Sequence, residues 1–172
     1  MALRYDTITF LSDYGLVDEF VGVVKSVIRS IEPDVTVIDL THDIEPHDVR
    51  GGGLTLARSA QYLVPGVVLA VVDPGVGTER RSIAVEVGGG QSVLVGPDNG
   101  LLLPAADAAG GIVEAADIAR SRYRLEPVSA TFHGRDIFCA VAAHLAAGVA
   151  LAEVGEPCDV TELIGVELPS PR

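Results

Sequence analysis

Six consecutive apolar residues, Val67-Val68-Leu69-Ala70-Val71-Val72, run without a polar break and stop at Asp73-Pro74-Gly75. Such a run predicts a β-strand buried on both faces, as in a parallel sheet with helices above and below. The rest of the chain must therefore supply two covering layers. Pro74, Gly75 and Gly77 predict a tight turn directly after the strand. In an open α/β sheet, ligands bind beyond the carboxyl ends of the strands, which is where Asp73 stands. Arg80 carries a permanent positive charge that the turn can fold back onto Asp73. The same residues also fit an ordinary loop with an ion pair.

The covering elements are legible on either side. Ile8-Thr9-Phe10-Leu11 predicts a first strand ending at Ser12-Asp13-Tyr14-Gly15. Phe20, Val23, Val24, Val27, Ile28 and Ile31 then recur on one helical face, with Asp18 as N-cap and Pro33 just beyond the end. Val35 to Leu40 predicts a second strand running into Thr41-His42-Asp43, and a weaker helix is expected from Val49 to Leu63. Gly51-Gly52-Gly53 weakens the start of that helix and is no phosphate loop, because no Lys-Ser/Thr pair follows. Crossovers of this length predict parallel pairing and right-handed connections. Asp13, the Thr41-His42-Asp43 group and Asp73 are then expected along one rim of the sheet.

After Arg81 the period changes to two. Ile83, Val85 and Val87, a Gly88-Gly89-Gly90-Gln91 turn, and Val93 with Val95 predict a hairpin. A turn at Gly96 to Gly100, a short helix over 101–108, a short strand at Ile112-Val113 and an irregular surface segment over 120–124 follow. A final helix is expected from Arg135 to Ala147, closed by Gly148. The expected fold is a three-layer α/β/α domain, Rossmann-like, with a mostly parallel sheet over residues 1–166. Residues 167–172 read as a linker.

Charge narrows the partners. With 24 acidic and 12 basic residues, the formal charge of −12 leaves no basic patch for nucleic acid or an anionic membrane. Cys139 and Cys158 lie far apart outside any CxxC arrangement, and the N-terminus lacks a signal-peptide pattern. A cytoplasmic protein is expected.

Several polar residues are candidates for chemistry. His133, at the start of the final helix, meets the positive end of the helix dipole, which favours a neutral imidazole able to accept a proton or merely to cap. Asp13 can close a turn or accept two hydrogen bonds from a ribose diol. Asp18 is first a cap. His42, Asp43 and His47 offer two imidazoles and a carboxylate suited to zinc or iron, although Pro46 breaks any regular helix between them.

Ser12-Asp13-Tyr14-Gly15, Asp39-Leu40-Thr41-His42, Val72-Asp73-Pro74-Gly75-Val76-Gly77-Thr78, Gly96-Pro97-Asp98-Asn99-Gly100 and Thr131-Phe132-His133-Gly134-Arg135 occur in that order. Together they resemble the S-adenosyl-L-methionine (SAM) hydroxide adenosyltransferase family, also called SAM hydrolases, from about Ile8 to Gly155. The resemblance implies that water-derived hydroxide displaces methionine at the ribose 5′ carbon, giving adenosine and L-methionine, with SAM as substrate and no cofactor. The family's Asp–Arg–His set falls on Asp73, Arg80 and His133. Halogenating relatives lack that set and carry an insertion after the central turn. Asp13 matches the ribose-binding aspartate, Asp18 an acidic residue near the methionine end, and His47 and Phe132 pocket positions. Full-length members add a C-terminal β-rich domain and form homotrimers. The alternatives are a SAM- or adenosine-binding module without turnover, and a metal-dependent hydrolase using His42, Asp43 and His47.

Overall fold

In the computed structural model, which describes residues 3–165, the apolar run forms β3 (Val67–Val71) at the heart of the sheet. On one side lies β1 (Thr7–Ser12), with β2 (Thr36–Thr41) beyond it. On the other side lies β5 (Ser92–Pro97), and β1, β2, β3 and β5 pair in parallel. Outside β5 come β4 (Ser82–Val87), β6 (Ile112–Asp117) and the short β7 (Glu156–Pro157), each antiparallel to its neighbour. The seven-stranded sheet is therefore mixed rather than mostly parallel. A tight glycine turn at Gly88–Gly90 joins β4 to β5, and so short a link can only reverse the chain. The segment read as a linker, 167–172, lies outside the described residues.

Alternate residues of β3 face different layers, as a strand's period of two requires. Val67, Leu69 and Val71 pack beneath α1 (Phe20–Ile31), through Val24 and Ile28, and beneath α4 (Cys139–Ala147), through Val141 and Leu145. Val68, Ala70 and Val72 pack on Leu56 of α2 (Val49–Ser59) and on Leu102, Ala105 and Ala106 at α3 (Leu103–Ala108). All six side chains are buried. At about 2 kcal/mol for each of the five larger ones, their burial contributes roughly 10 kcal/mol before chain entropy is charged against it. The run is therefore what fixes the three-layer arrangement.

Several local details differ from expectation. Glu19 directly precedes α1, and its side chain makes no capping bond; Asp18 instead accepts the Phe20 N–H at 3.2 Å from one residue further out. Asp48 caps α2 by accepting the Gly51 N–H at 2.8 Å. The glycines that weaken α2 by propensity are needed sterically. A Cβ on Gly51 would overlap the Asp48 carboxylate, and one on Gly53 would sit 3.3 Å from the Leu101 carbonyl oxygen. The final helix opens with a π-helical turn, Gly134–Phe138, which carries the chain into α4. Its closing residue, Gly148, is left-handed with φ 114°, as expected. A four-residue α5 (Leu151–Val154), too short to leave a sequence period, precedes β7. Among the described residues no helix is long and apolar enough to cross a membrane.

Candidate active site

Asp73 follows the end of β3, and the turn after it closes through Val76 N–H to Asp73 O at 3.2 Å and Thr78 N–H to Gly75 O at 3.0 Å. That turn brings Arg80 back over Asp73. Arg80 Nε donates to Asp73 Oδ1 at 2.7 Å, and Nη2 donates to Oδ2, a bidentate pair. Nη2 also donates to His133 Nδ1 at 2.9 Å, and Nη1 donates to Ser82 Oγ at 2.8 Å. The Asp73 and Arg80 side chains are 6% and 9% exposed, and the guanidinium lies over the Phe138 ring at 5.3 Å. Two residues far apart in sequence, Asp73 and His133, are thus held by one cation.

The protonation state of His133 follows. A guanidinium donates and never accepts, so Nδ1 must present its lone pair and the ring proton sits on Nε2. Burial is the largest influence lowering the basicity of His133 and the Arg80 charge is second, against opposing contributions from Asp73, Asp136 and a Ser129 backbone hydrogen bond. The neutral imidazole expected from the helix dipole is present here chiefly through burial and Arg80. Four of the five Arg80 donor positions are engaged by protein, so Arg80 acts on the cavity mainly through its charge and by fixing its partners.

A cavity of about 280 Å³ opens above this group, lined by Asp13, Tyr14, Asp18, His47, Asp73 and His133 among others. Of the predicted residues, Arg80 lies beneath Asp73. Phe132 sits in the wall behind the cavity, edge-on to Tyr14 at 5.8 Å and Phe20 at 5.0 Å. Asp13 Oδ2 accepts the His47 N–H at 2.8 Å, holding His47 at φ 68° and folding the 43–48 loop against the cavity. Asp73 is balanced by Arg80, whereas Asp13 and Asp18 form no ion pair among the described residues. Two uncompensated carboxylates favour a cationic ligand. A larger cleft of about 450 Å³ lies between 117–122 and 152–156, where Arg122 and Glu153 face each other at 3.8 Å.

His42, Asp43 and His47 do not converge as a metal site. The His42 ring is buried, with Nδ1 bonded to Ser12 Oγ at 2.7 Å and Nε2 to Asp39 Oδ1 at 2.8 Å, so neither nitrogen is free to ligate. Its backbone oxygen accepts the Gly15 N–H at 2.7 Å, and Ser12 Oγ accepts the Tyr14 N–H at 3.2 Å. His42 is the brace of the Asp13 turn, while His47 lies across the cavity.

Asp136 is a supporting residue that the helix dipole alone does not reveal. It is buried, accepts from Arg135 Nε at 2.6 Å and Nη2 at 3.0 Å, and takes the Ser129 N–H at 2.8 Å. Burial pushes its pKa up, but the hydrogen bonds from Arg135 and Ser129 outweigh burial and hold the carboxyl below its usual range. It ties the 129–131 segment to the helix that carries His133. The available signal was a carboxylate on the same helical stripe as Cys139 and Ala140.

The SAM hydroxide adenosyltransferase N-terminal domain family matches residues 8–155. The chain belongs to this family. As a SAM hydroxide adenosyltransferase domain it is 49% identical over 165 residues to a Salinispora tropica protein named (R)-S-adenosyl-L-methionine hydrolase, covering 96% of this chain and 62% of that protein. A Thermus thermophilus protein of the same name is 40% identical, at 92% and 64% coverage. A protein of Actinoplanes named fluorinase is 30% identical, at 95% and 62% coverage. Among solved structures, an uncharacterized conserved protein from Thermotoga maritima superposes with a TM-score of 0.89 at 39% identity, covering 95% of this chain and 63% of that one. The chain spans less than two thirds of the length of these relatives.

Proposed function

We propose that this domain hydrolyses S-adenosyl-L-methionine to adenosine and L-methionine. The observation that carries the reading is Arg80 clamping Asp73 and His133 together under a cavity whose other carboxylates, Asp13 and Asp18, form no ion pair among the described residues. The relatives named hydrolase are 38–49% identical, and those named fluorinase 30%, which favours water over halide.

The chemistry fits such a site. A sulfonium leaves as a neutral thioether and needs no general acid. Water must be held in line with the 5′ carbon and lose a proton as the C–O bond forms and the C–S bond breaks. Asp73 retains lone pairs beyond the two that Arg80 occupies, so it is the acceptor for that proton. His133 is neutral, with its proton on Nε2, and lines the water's side of the cavity without adding a positive charge that would repel the sulfonium. Asp13 keeps Oδ1 for the ribose diol while Oδ2 holds His47, and Asp18 faces the cationic end of the substrate. Arg80 maintains the geometry. In this reading no metal or organic cofactor takes part, the site works in the cytoplasm, nucleic acid and membrane are not partners, and the assembly is a homotrimer when a C-terminal domain is present.

Incubation of the purified chain with SAM in ¹⁸O-water tests the reaction. Adenosine carrying ¹⁸O at its 5′ hydroxyl, with free methionine, is expected. Release of methylthioadenosine, or no turnover, would sink it. A second reading is binding without turnover. Adenosine binding without product would select it.

A further inference from the structure

We propose that the Tyr14 hydroxyl is a further catalytic group, donating a hydrogen bond to the attacking oxygen and holding it in line with the 5′ carbon; this rests on the hydrolase reading above. The ring is fixed on several sides. It meets Phe10 edge-on with centroids 6.5 Å apart, Phe20 at 6.0 Å and Phe132 at 5.8 Å. Its backbone is pinned by Ser12 Oγ, and the adjoining Gly15 N–H by the His42 carbonyl. A tyrosine so packed has one direction in which to point its oxygen.

That direction is the floor of the cavity. A Cβ on Gly134 would overlap the Tyr14 hydroxyl oxygen and would sit 3.5 Å from Val71 Cγ1. The hydroxyl therefore occupies the corner between the end of β3 and the start of the final helix. Asp73 lies two residues beyond that strand, and His133 immediately precedes that helix. Asp13, by contrast, is turned toward the 43–48 loop on the other wall. Tyr14 Oη makes no hydrogen bond to another described residue, yet no buried side-chain nitrogen or oxygen is left unpartnered, so the hydroxyl is reached from the cavity that Tyr14 lines.

The chemistry explains why a donor belongs there. Asp73 can only accept from the nucleophile, and Arg80 has engaged four of its five donor positions on Asp73, His133 and Ser82, which leaves the His133 Nε2–H as the donor already on that side. The Tyr14 O–H is a second neutral donor beside it, taking up one lone pair of the water while Asp73 takes a proton and another lone pair attacks carbon. The C–O bond forms, the C–S bond breaks with its electron pair leaving on sulfur, and Tyr14 keeps its proton throughout. Burial first, then the Asp13 and Asp73 charges, push its ionisation far above the ordinary tyrosine range, so it remains a donor at any working pH.

Tyr14→Phe in the full chain keeps every ring contact and removes only the oxygen. The expected result is a fall in kcat of about tenfold, with KM for SAM and adenosine affinity by calorimetry both within about twofold of the parent chain. An unchanged kcat overturns the assignment. So does a rise in KM or a loss of adenosine affinity without a fall in kcat, which would place the hydroxyl on the nucleoside. Absence of turnover in the parent chain overturns the hydrolase reading and this one together, whereas turnover unaffected by Tyr14→Phe overturns this one alone.

Discussion

Replacing Arg80 with methionine tests whether one guanidinium organises the site. The substitution keeps most of the side-chain length and removes the only cation beside Asp73 among the described residues. Asp73, 6% exposed at its side chain, is left as an uncompensated carboxylate, and Ser82 Oγ and His133 Nδ1 each lose a donor. Breaking a buried pair costs roughly 3–5 kcal/mol. Because Asp73 also faces the cavity, the lower end applies, about 3 kcal/mol. For a domain of this size each kcal/mol moves the unfolding midpoint by about 2–4 °C, so Arg80→Met should melt roughly 6–12 °C below the parent chain. Asp73→Asn in the same background removes the stranded charge and should restore about 2 kcal/mol, making the pair strongly non-additive. Calorimetry on the four proteins of this cycle measures both quantities. His133 supplies a separate readout by NMR: without the Arg80 charge its pKa should rise. The reasoning would be refuted by an Arg80→Met variant within 1 kcal/mol of the parent chain, or by additive losses in the double variant.

Other consequences can be checked directly. Gly134→Ala should cost about 1–3 kcal/mol by overpacking against the Tyr14 hydroxyl, and Tyr14→Phe should relieve most of it; equal losses in both backgrounds, by denaturant titration, would contradict the packing. His42→Ala should destabilise by about 2–3 kcal/mol, taking the imidazole partner from buried Ser12 Oγ, and should raise KM for SAM by loosening the Asp13 turn. His133 and His144 are both held below the ordinary histidine pKa, burial being the largest cause for each. The unfolded chain therefore takes up protons first as pH falls through about 6.5, and stability should drop below that point. His144→Gln should narrow the stability difference between pH 7.5 and pH 5.5, and an unchanged difference would contradict the assignment.

What could be seen in the residues alone divides along a physical line. The α1 face, the β3 run and the Asp73–Arg80 turn come from local period and turn chemistry, and parallel topology then brought Asp13 and Asp73 to one rim. The hairpin over 82–97 was also legible, but not that it would convert the outer half of the sheet to antiparallel pairing, because insertion of β5 beside β3 is a long-range choice. His42 looked like a ligand because its two nitrogens' partners, Ser12 and Asp39, are invisible without tertiary structure. Gly52 and Gly53 looked like a weakness for the same reason: both pack against a neighbour nearly fifty positions away, Leu101.

The two sides of the cavity are built to different standards. Asp73 and Arg80 grow from a fully covered strand and lock onto each other and His133. On the facing side, the 43–48 loop is tied to Asp13 through one backbone hydrogen bond from His47, a non-glycine residue in a left-handed conformation. Changes in that loop can therefore reshape the cavity for differently sized ligands while the Asp73–Arg80–His133 wall opposite keeps its geometry.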